Sequence, residues 1–197
     1  MKINTFIFDC FGVVCSSVLN GWYKENILKK GQVDDNFKNL CKNFDLGLIS
    51  EDDILEYFSK YQGITSSKNQ LREDVDGYLS LDYSLVEIIK ELKNKGMKIV
   101  LLSNANNAFF ERMVYVKYPE FKTLFDEIVI SSNIRMVKPN SDIYLYTLEK
   151  INSKPEESVF IDDSMENVEA AKNLGINGFL YTESTSFDNY VKSLDLK

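Results

Sequence analysis

An uninterrupted apolar run near the N-terminus, residues 5–8, ends abruptly at Asp9 and is followed closely by Gly12. A continuous apolar run is typical of a strand that is buried on both faces, as in a parallel sheet. Such a strand would deliver Asp9 to the carboxyl edge of the sheet, where open α/β sheets bind their ligands. A carboxylate in this position is equally common as a helix cap or a turn residue, so the remaining strands must decide between the two roles.

The second half of the chain alternates regularly between helical and apolar segments. Amphipathic stretches indicate helices near Leu85–Lys95, at about 106–117, from Pro139 onward and at about 166–174. Four further apolar runs predict strands at Lys98–Leu102, Glu127–Ile130, Ser158–Ile161 and Gly178–Tyr181. Five strands separated by helices predict an α/β fold, a three-layer Rossmann-like parallel sheet with right-handed crossovers.

The segment from Cys15 to about Tyr83 has a different pattern, because it contains no second long apolar strand. Residues 50–53 form a capping-box start, and apolar residues follow at helical spacing. We predict four helices near 18–30, 33–43, 50–61 and 67–77, which form a small inserted all-α helical bundle at 17–82. Residues 1–16 and 83–197 then make the α/β core. The aromatic residues expected mainly in the bundle core are Trp22, Tyr23, Phe37, Phe44, Tyr57 and Phe58.

The composition excludes several kinds of chemistry. None of the 197 residues is a histidine, which rules out His-dependent triads and histidine-ligated zinc. Three cysteines without CxxC spacing argue against a disulfide framework. A net charge of −7 opposes non-specific nucleic-acid binding. Because no run has membrane-spanning length or a signal-peptide layout, we expect a cytoplasmic protein without a membrane partner.

Polar residues follow three of the predicted strands at the point where each strand ends. Asp9 follows the first strand, Ser103 and Asn104 the second, and Asp162 and Asp163 the fourth. Parallel strands share a carboxyl end, so these side chains should meet at one edge of the sheet. Lys138, in the loop before the helix for which Pro139 is the expected first residue, should reach the same edge. Each residue could separately be a cap or a turn, but their joint occurrence favours a functional site.

Four ordered segments carry a resemblance to a known superfamily, and they are Asp9–Val14, Leu102–Asn104, Lys138–Pro139 and Phe160–Asn167. They resemble the motifs of the haloacid dehalogenase-like (HAD) hydrolases over nearly the whole chain. The inserted helical bundle stands where that superfamily carries an alpha-helical cap, between its first and second motifs. Residues 102–106, 118–120 and 138–139 are also similar to the subgroup that contains alpha-D-glucose-1-phosphate phosphatase.

The resemblance implies an Mg²⁺ site. Asp9, Asp163 and the backbone carbonyl of Phe11 would be its ligands, and Asp162 would hold a metal-bound water or Lys138. The donor set agrees with elementary chemistry, since Mg²⁺ prefers oxygen ligands and usually binds one or two carboxylates together with phosphate.

The resemblance also implies a phosphatase whose partner is a small phosphorylated metabolite, such as the sugar phosphate glucose 1-phosphate. Asp9 would be the nucleophile and form an aspartyl-phosphate. Lys138 would supply positive charge to the transferring phosphoryl group, and Ser103 and Asn104 would donate hydrogen bonds to its oxygens. A carboxylate that attacks a phosphate ester needs such cations, because like charges repel.

Phe11 departs from the usual phosphatase pattern, because most members carry a second aspartate there as general acid and base. Three alternatives follow. The chain is a phosphatase whose substrates have good leaving groups, a 2-haloacid dehalogenase that uses Asp9 without metal, or a weakly active protein that binds a phosphorylated ligand or a partner. Loss of a positioned acid-base group typically costs about 10²- to 10⁴-fold in rate. Asp162 and Asp163 argue against the dehalogenase, because two adjacent acids suit a hard cation.

Overall fold

The computed structural model describes residues 2–32, 34–61, 63–194 and 196. Its named strands are β1 (Thr5–Phe8), β2 (Lys98–Ser103), β3 (Glu127–Ile130), β4 (Ser158–Asp162) and β5 (Asn177–Leu180). Neighbouring strands are parallel, in the order β3-β2-β1-β4-β5. The predicted Rossmann-like sheet is confirmed. Because β1 lies between β2 and β4, it ends close to the point where the strand order reverses, which is where such sheets bind ligands.

Helices cover both faces of the sheet and fill the segment between β1 and β2. The α-helices in the described part of the chain are α1 (Leu19–Asn26), α2 (Phe37–Asp45), α3 (Glu51–Ser59), α4 (Lys68–Asp76), α5 (Tyr83–Asn94), α6 (Asn107–Phe110), α7 (Ser131–Ile134), α8 (Ser141–Ile151), α9 (Met165–Asn173) and α10 (Ser184–Ser193). Shorter 3-10 segments lie at Leu28–Lys30, Pro119–Leu124 and Pro155–Glu157, and a π-helical turn lies at Glu111–Tyr115.

The apolar runs of the strands explain why the sheet lies between two helical layers. Side chains alternate along β1, so Phe6 and Phe8 enter one hydrophobic cluster and Ile7 enters another. The first cluster also contains Ile89 of α5, and the second contains Tyr144 of α8. All four residues of β1 are buried, as expected for a central strand covered on both sides.

Two predicted helical features differ from the structure, and one helix was not predicted. Pro139 precedes α8 without being its first residue, because Asn140 is extended (φ −63°, ψ 140°) and the helix begins at Ser141. The helix predicted at 106–117 changes from α to π geometry after Phe110. The sequence analysis also missed α10, whose buried Phe187 makes edge-to-face contacts with Phe6 and Phe8 at centroid distances of 6.3 and 5.5 Å.

The segment between β1 and β2 contains helices and no named strand among its described residues. Trp22 stacks on Phe58 with ring centroids 4.3 Å apart, and Tyr23 stacks on Phe37 at 3.7 Å. The helix predicted at 33–43 begins later, at Phe37, and residue 33 lies outside the described residues.

Two of the six aromatic residues expected in the bundle core have other contacts. Phe44 packs edge-to-face on Phe109 of α6, 5.4 Å between centroids. Tyr57 is only partly buried and its hydroxyl donates to Asp34 at 2.5 Å. Both rings therefore sit at the margin of the bundle, where an aromatic side chain can meet the sheet domain or a polar group.

Arg112 joins the helical segment to the rest of the molecule. Its Nε and Nη2 donate to Glu51 at 2.9 and 2.6 Å, and its Nη1 and Nη2 donate to Asp76, both at 2.7 Å. Glu51 begins α3 and Asp76 ends α4, so one guanidinium ties together the ends of two helices. Bidentate arginine-carboxylate pairs of this kind fix orientation as well as adding energy.

Candidate active site

Asp9 and Lys138 meet at the carboxyl edge of the sheet, as the strand ends predicted. Lys138 Nζ donates to Asp9 Oδ1 at 2.6 Å and to Asp162 Oδ2 at 2.7 Å. The Lys138 side chain is 1% exposed, so the ammonium is held almost entirely by these two carboxylates. Burial lowers the pKa of Lys138, but the charges of Asp162 and Asp9 outweigh burial and raise it, which keeps the lysine cationic.

Asp162 is fully buried and its oxygens are occupied by other side chains and the backbone. Oδ1 accepts from Ser164 N at 2.8 Å and from Asn167 Nδ2 at 3.1 Å. Oδ2 accepts from Lys138 and again from Asn167 Nδ2. A carboxylate with both oxygens bonded in this way orients its neighbours, and its geometry suits the supporting place predicted for Asp162 outside a metal's own ligands.

Asn104 binds the backbone of Lys138. Its Nδ2 donates to the carbonyl of Lys138 at 3.0 Å, and its Oδ1 accepts from the amide of Lys138 at 2.9 Å. Asn104 therefore fixes the position from which Lys138 reaches Asp9. The second N–H of the amide is not used in this contact and Asn104 lines the cavity, so its predicted contact with a phosphoryl group stays a prediction.

Ser103 ends β2 and is fully buried. Its Oγ is the single buried side-chain oxygen or nitrogen that lacks a hydrogen-bond partner within the described parts of the chain. Leaving a buried hydroxyl unpaired costs roughly 1–3 kcal/mol. Ser103 lies at the carboxyl end of β2 but is not among the residues that line the cavities at this edge, so its role as a donor to a phosphoryl group stays a prediction.

Asp163 lies beside a glycine that has no room for a side chain. Gly12 has φ +104°, and a Cβ built on it would lie 2.2 Å from Asp163 Oδ2. The approach brings carboxylate oxygens of Asp9, Asp162 and Asp163 within 4.8 Å of one another. Burial, followed by the charge of Asp162, raises the pKa of Asp163.

The acidic cluster fits a divalent cation. Three neighbouring carboxylates, two of them in contact with one ammonium, give the group a charge of two units negative when all four are ionised, the amount that Mg²⁺ would balance. Burial raises the pKa of Asp9 to about 7 even though Lys138 lowers it, which shows the cost of keeping these acids ionised with the lysine alone. Asp9 and Asp163, as hard oxygen donors at the open side, are suited to hold Mg²⁺. The role predicted for the Phe11 carbonyl stays a prediction.

A cavity of about 300 Å³ opens at this edge, a size suited to a small ligand. Its walls include Asp9, Asn104, Lys138 and Asp163 from the sheet side. The ring of Phe11 also lines it and contacts Phe110 edge-to-face at 5.7 Å. A second cavity, of about 500 Å³, shares Cys41, Asp45 and Lys138 with the first.

Residues that the sequence analysis missed line the opposite wall. They are Ser17, Val18, Leu19, Asn20, Cys41, Phe44 and Asp45, all from the helical segment. Asp45 is the last residue of α2. The one sequence signal near it is Gly47, which indicates that the helix ends in a turn. No sequence pattern could have shown that this turn faces Asp9, because the two are joined only through the fold.

A parallel sheet with a buried lysine among three acids at its carboxyl edge defines an α/β enzyme whose site can hold a cation and an anion together. A family model described as haloacid dehalogenase-like hydrolase matches residues 3–175. The chain therefore belongs to the haloacid dehalogenase-like hydrolases. No described helix has the length and apolar character needed to span a bilayer.

Named relatives and a solved structure agree with this family. The sesquiterpene phosphatase astK of Aspergillus oryzae is 28% identical over 144 residues, covering 73% of this chain and 72% of that protein. The pyrophosphatase PpaX of Bacillus cereus is 24% identical over 186 residues, covering 89% and 81%. The crystal structure of the HAD family enzyme bt-2542 from Bacteroides thetaiotaomicron, in complex with magnesium and inorganic phosphate, has a TM-score of 0.70 and 22% identity, covering 92% of this chain and 95% of that one.

Proposed function

We propose that the chain is an Mg²⁺-dependent phosphatase that hydrolyses small phosphorylated metabolites through an aspartyl-phosphate on Asp9. The observation that carries the proposal is the contact of Lys138 with Asp9 and Asp162, beside Asp163, in a cavity of small-ligand size. Names of relatives support the reaction class, since they include a phosphatase and a pyrophosphatase. Sugar phosphates such as glucose 1-phosphate are the substrates we would test first.

Each residue of the site would have a separate role in the reaction. Asp9 would attack phosphorus, and Lys138, held between Asp9 and Asp162, would stay cationic and stabilise the phosphoryl oxygens. Ser103 Oγ, which has no partner among the described residues, would donate to one of those oxygens. Asp9, Asp163 and the Phe11 carbonyl would hold Mg²⁺, which when bound supplies positive charge to the phosphate. Residues 17–82 would form the cap that covers the substrate and excludes water.

The acidic cluster also separates this proposal from the dehalogenase alternative. A haloacid dehalogenase that uses no metal has no need for three carboxylate groups within 4.8 Å of one another. Lys138 would balance only one of these charges there, whereas a divalent cation turns the same arrangement into a binding site.

The deciding experiment measures inorganic phosphate released from a panel of phosphorylated metabolites, with Mg²⁺ and with EDTA. We expect turnover that EDTA abolishes, and we expect both Asp9→Asn and Asp163→Ala to lose it. Near-wild-type turnover in either variant would reject the assignment. Tight binding of a phosphorylated ligand without phosphate release over hours would point instead to a binding protein, and halide release from a 2-haloacid without Mg²⁺ would point to a dehalogenase.

A further inference from the structure

The turn that follows α2 is anchored to the sheet domain by hydrogen bonds. Ser131 Oγ, which is fully buried, donates to the carbonyl of Asp45 at 2.6 Å. Asn106 Nδ2 donates to the carbonyls of Ile49 at 3.2 Å and Phe44 at 3.4 Å. The backbone on both sides of Asp45 is therefore held by the same domain that carries Asp9, so the distance between the two carboxylates is set by the fold.

The Asp45 side chain lines the cavity that also contains Asp9 and Lys138. No hydrogen bond or ion pair from the described residues reaches its carboxylate, whose pKa is set by burial and by charges alone. An acid at the C-terminal end of a helix is also electrostatically unfavourable. Asp45 therefore neither stabilises its helix nor forms a polar contact with the described residues through its side chain.

The titratable groups that face Asp45 come from two elements of the sheet domain and from its own helix. Asp9 lies at the end of β1, Lys138 lies before α8, and the Cys41 thiol belongs to α2. Burial raises the pKa of Asp45 to about 7, Lys138 lowers it and Asp9 raises it. A carboxyl group in this range can donate a proton and later accept one near neutral pH.

In the proposed reaction the departing oxygen would lie on the side of the cavity away from Asp9, and Asp45 lines the same cavity. The attacking and leaving oxygens are roughly in line on phosphorus, so the leaving oxygen lies away from Asp9, towards the wall formed by the helical segment. Phe11, in the position where most family phosphatases carry the acid-base aspartate, has no proton to give. Its ring packs on Phe110, which leaves that wall as the source of a proton donor.

We propose that Asp45 is the general acid and base of the reaction, in place of the aspartate that Phe11 replaces; this rests on the proposed phosphatase function. As the bond from phosphorus to the leaving oxygen breaks, the Asp45 carboxyl proton passes to that oxygen and the alcohol departs neutral. Asp45 then removes a proton from the water that attacks the aspartyl-phosphate. The bond from phosphorus to Asp9 breaks, inorganic phosphate is released, and Asp9 and protonated Asp45 are regenerated.

The test compares two phosphate monoesters with the full-length enzyme and saturating Mg²⁺. p-Nitrophenyl phosphate has a leaving group that departs without a proton, whereas an alkyl ester such as glycerol phosphate needs one. We expect Asp45→Asn to lower the rate of alcohol release in the first turnover by about 10²- to 10⁴-fold for the alkyl ester, with little change in the first-turnover burst of p-nitrophenol. Hydrolysis of the aspartyl-phosphate, which needs the Asp45 base, should slow equally for both esters. The variant should also lose the alkaline decline of the alkyl-ester rate that ionisation of Asp45 produces in the wild type.

Asp74→Asn is the matched control, since Asp74 is an exposed aspartate on α4 of the same segment, and it should leave both rates unchanged. An equal loss of the first-turnover rate on both esters, or no loss on either, would overturn the role of Asp45 while leaving the phosphatase function intact. Absence of phosphate release by the wild type from both esters would instead overturn the phosphatase function itself.

Discussion

Replacing Arg112 with methionine should loosen the helical segment from the sheet domain. The change removes four charged hydrogen bonds, from one guanidinium to Glu51 and Asp76. It also removes the cation-π interaction between the guanidinium and the ring of Phe109. Methionine keeps much of the side-chain volume, so the perturbation is mostly electrostatic.

The expected magnitude follows from the exposure of the partners. Arg112 is 35% exposed, Asp76 30% and Glu51 15%, so each bidentate pair is partly screened and should contribute roughly 1 kcal/mol. Leaving the better buried Glu51 carboxylate with only Arg72 as partner adds about 1 kcal/mol. The total, roughly 2–3 kcal/mol, corresponds to a fall in Tm of about 5–10 °C for a chain of this length.

Thermal unfolding followed by calorimetry is the assay, with Arg72→Met as the control. Arg72 contacts Glu51 and Asp52 and no residue of the sheet domain in any described ion pair, so its loss should lower Tm by less than half as much. Equal falls in Tm for the two variants would show that the contact of Arg112 with the helical segment stabilises the protein no more than a surface ion pair does. The reasoning from bidentate geometry would then be wrong.

Three further predictions follow from the site and the core. Gly12→Ala should abolish Mg²⁺-dependent phosphate release, because its Cβ would meet Asp163 at 2.2 Å, whereas Gly31→Ala, also at positive φ but in open space, should keep activity; equal activity of the two would refute the close-approach argument. Phe187→Ala should cost about 3–5 kcal/mol in urea unfolding, against less than about 0.5 kcal/mol for Val116→Ala, which is 74% exposed. Burial raises the pKa of Asp45 above its unfolded value, so its contribution to stability is complete below about pH 4 and is lost as pH rises through about 7. In EDTA, the Tm of Asp45→Asn minus the Tm of wild type should therefore increase between those pH values. A difference that does not change with pH would contradict the raised pKa.

Much of the fold could be predicted from the sequence, because short local stretches determine its strands. The strands of the sheet are uninterrupted apolar runs, and each predicted strand differs from the structure by no more than one residue at either end. The acids and the lysine of the site were readable for the same reason, since they stand directly at strand ends or in the loop before a helix. Shared direction in a parallel sheet then brings them together.

What escaped prediction depends on contacts between distant parts of the chain. The helix α10 was not predicted, because its first residues are polar. It packs on the sheet through Phe187, which contacts Phe6 and Phe8 of β1. The contact of the Asn104 side chain with the Lys138 backbone could not be predicted either, because the two residues are far apart in the chain. Asp45 faces Asp9 only because Ser131 and Asn106 hold its turn against the sheet domain.

The stacking of Trp22 on Phe58 gives the protein a built-in optical reporter. Trp22 is the sole tryptophan in the sequence and is 2% exposed, inside the helical segment. Indole emission therefore comes from one side of the catalytic cleft and none comes from the sheet. Opening or melting of that segment should change the wavelength and intensity of this emission, so its motions can be followed without attaching a dye.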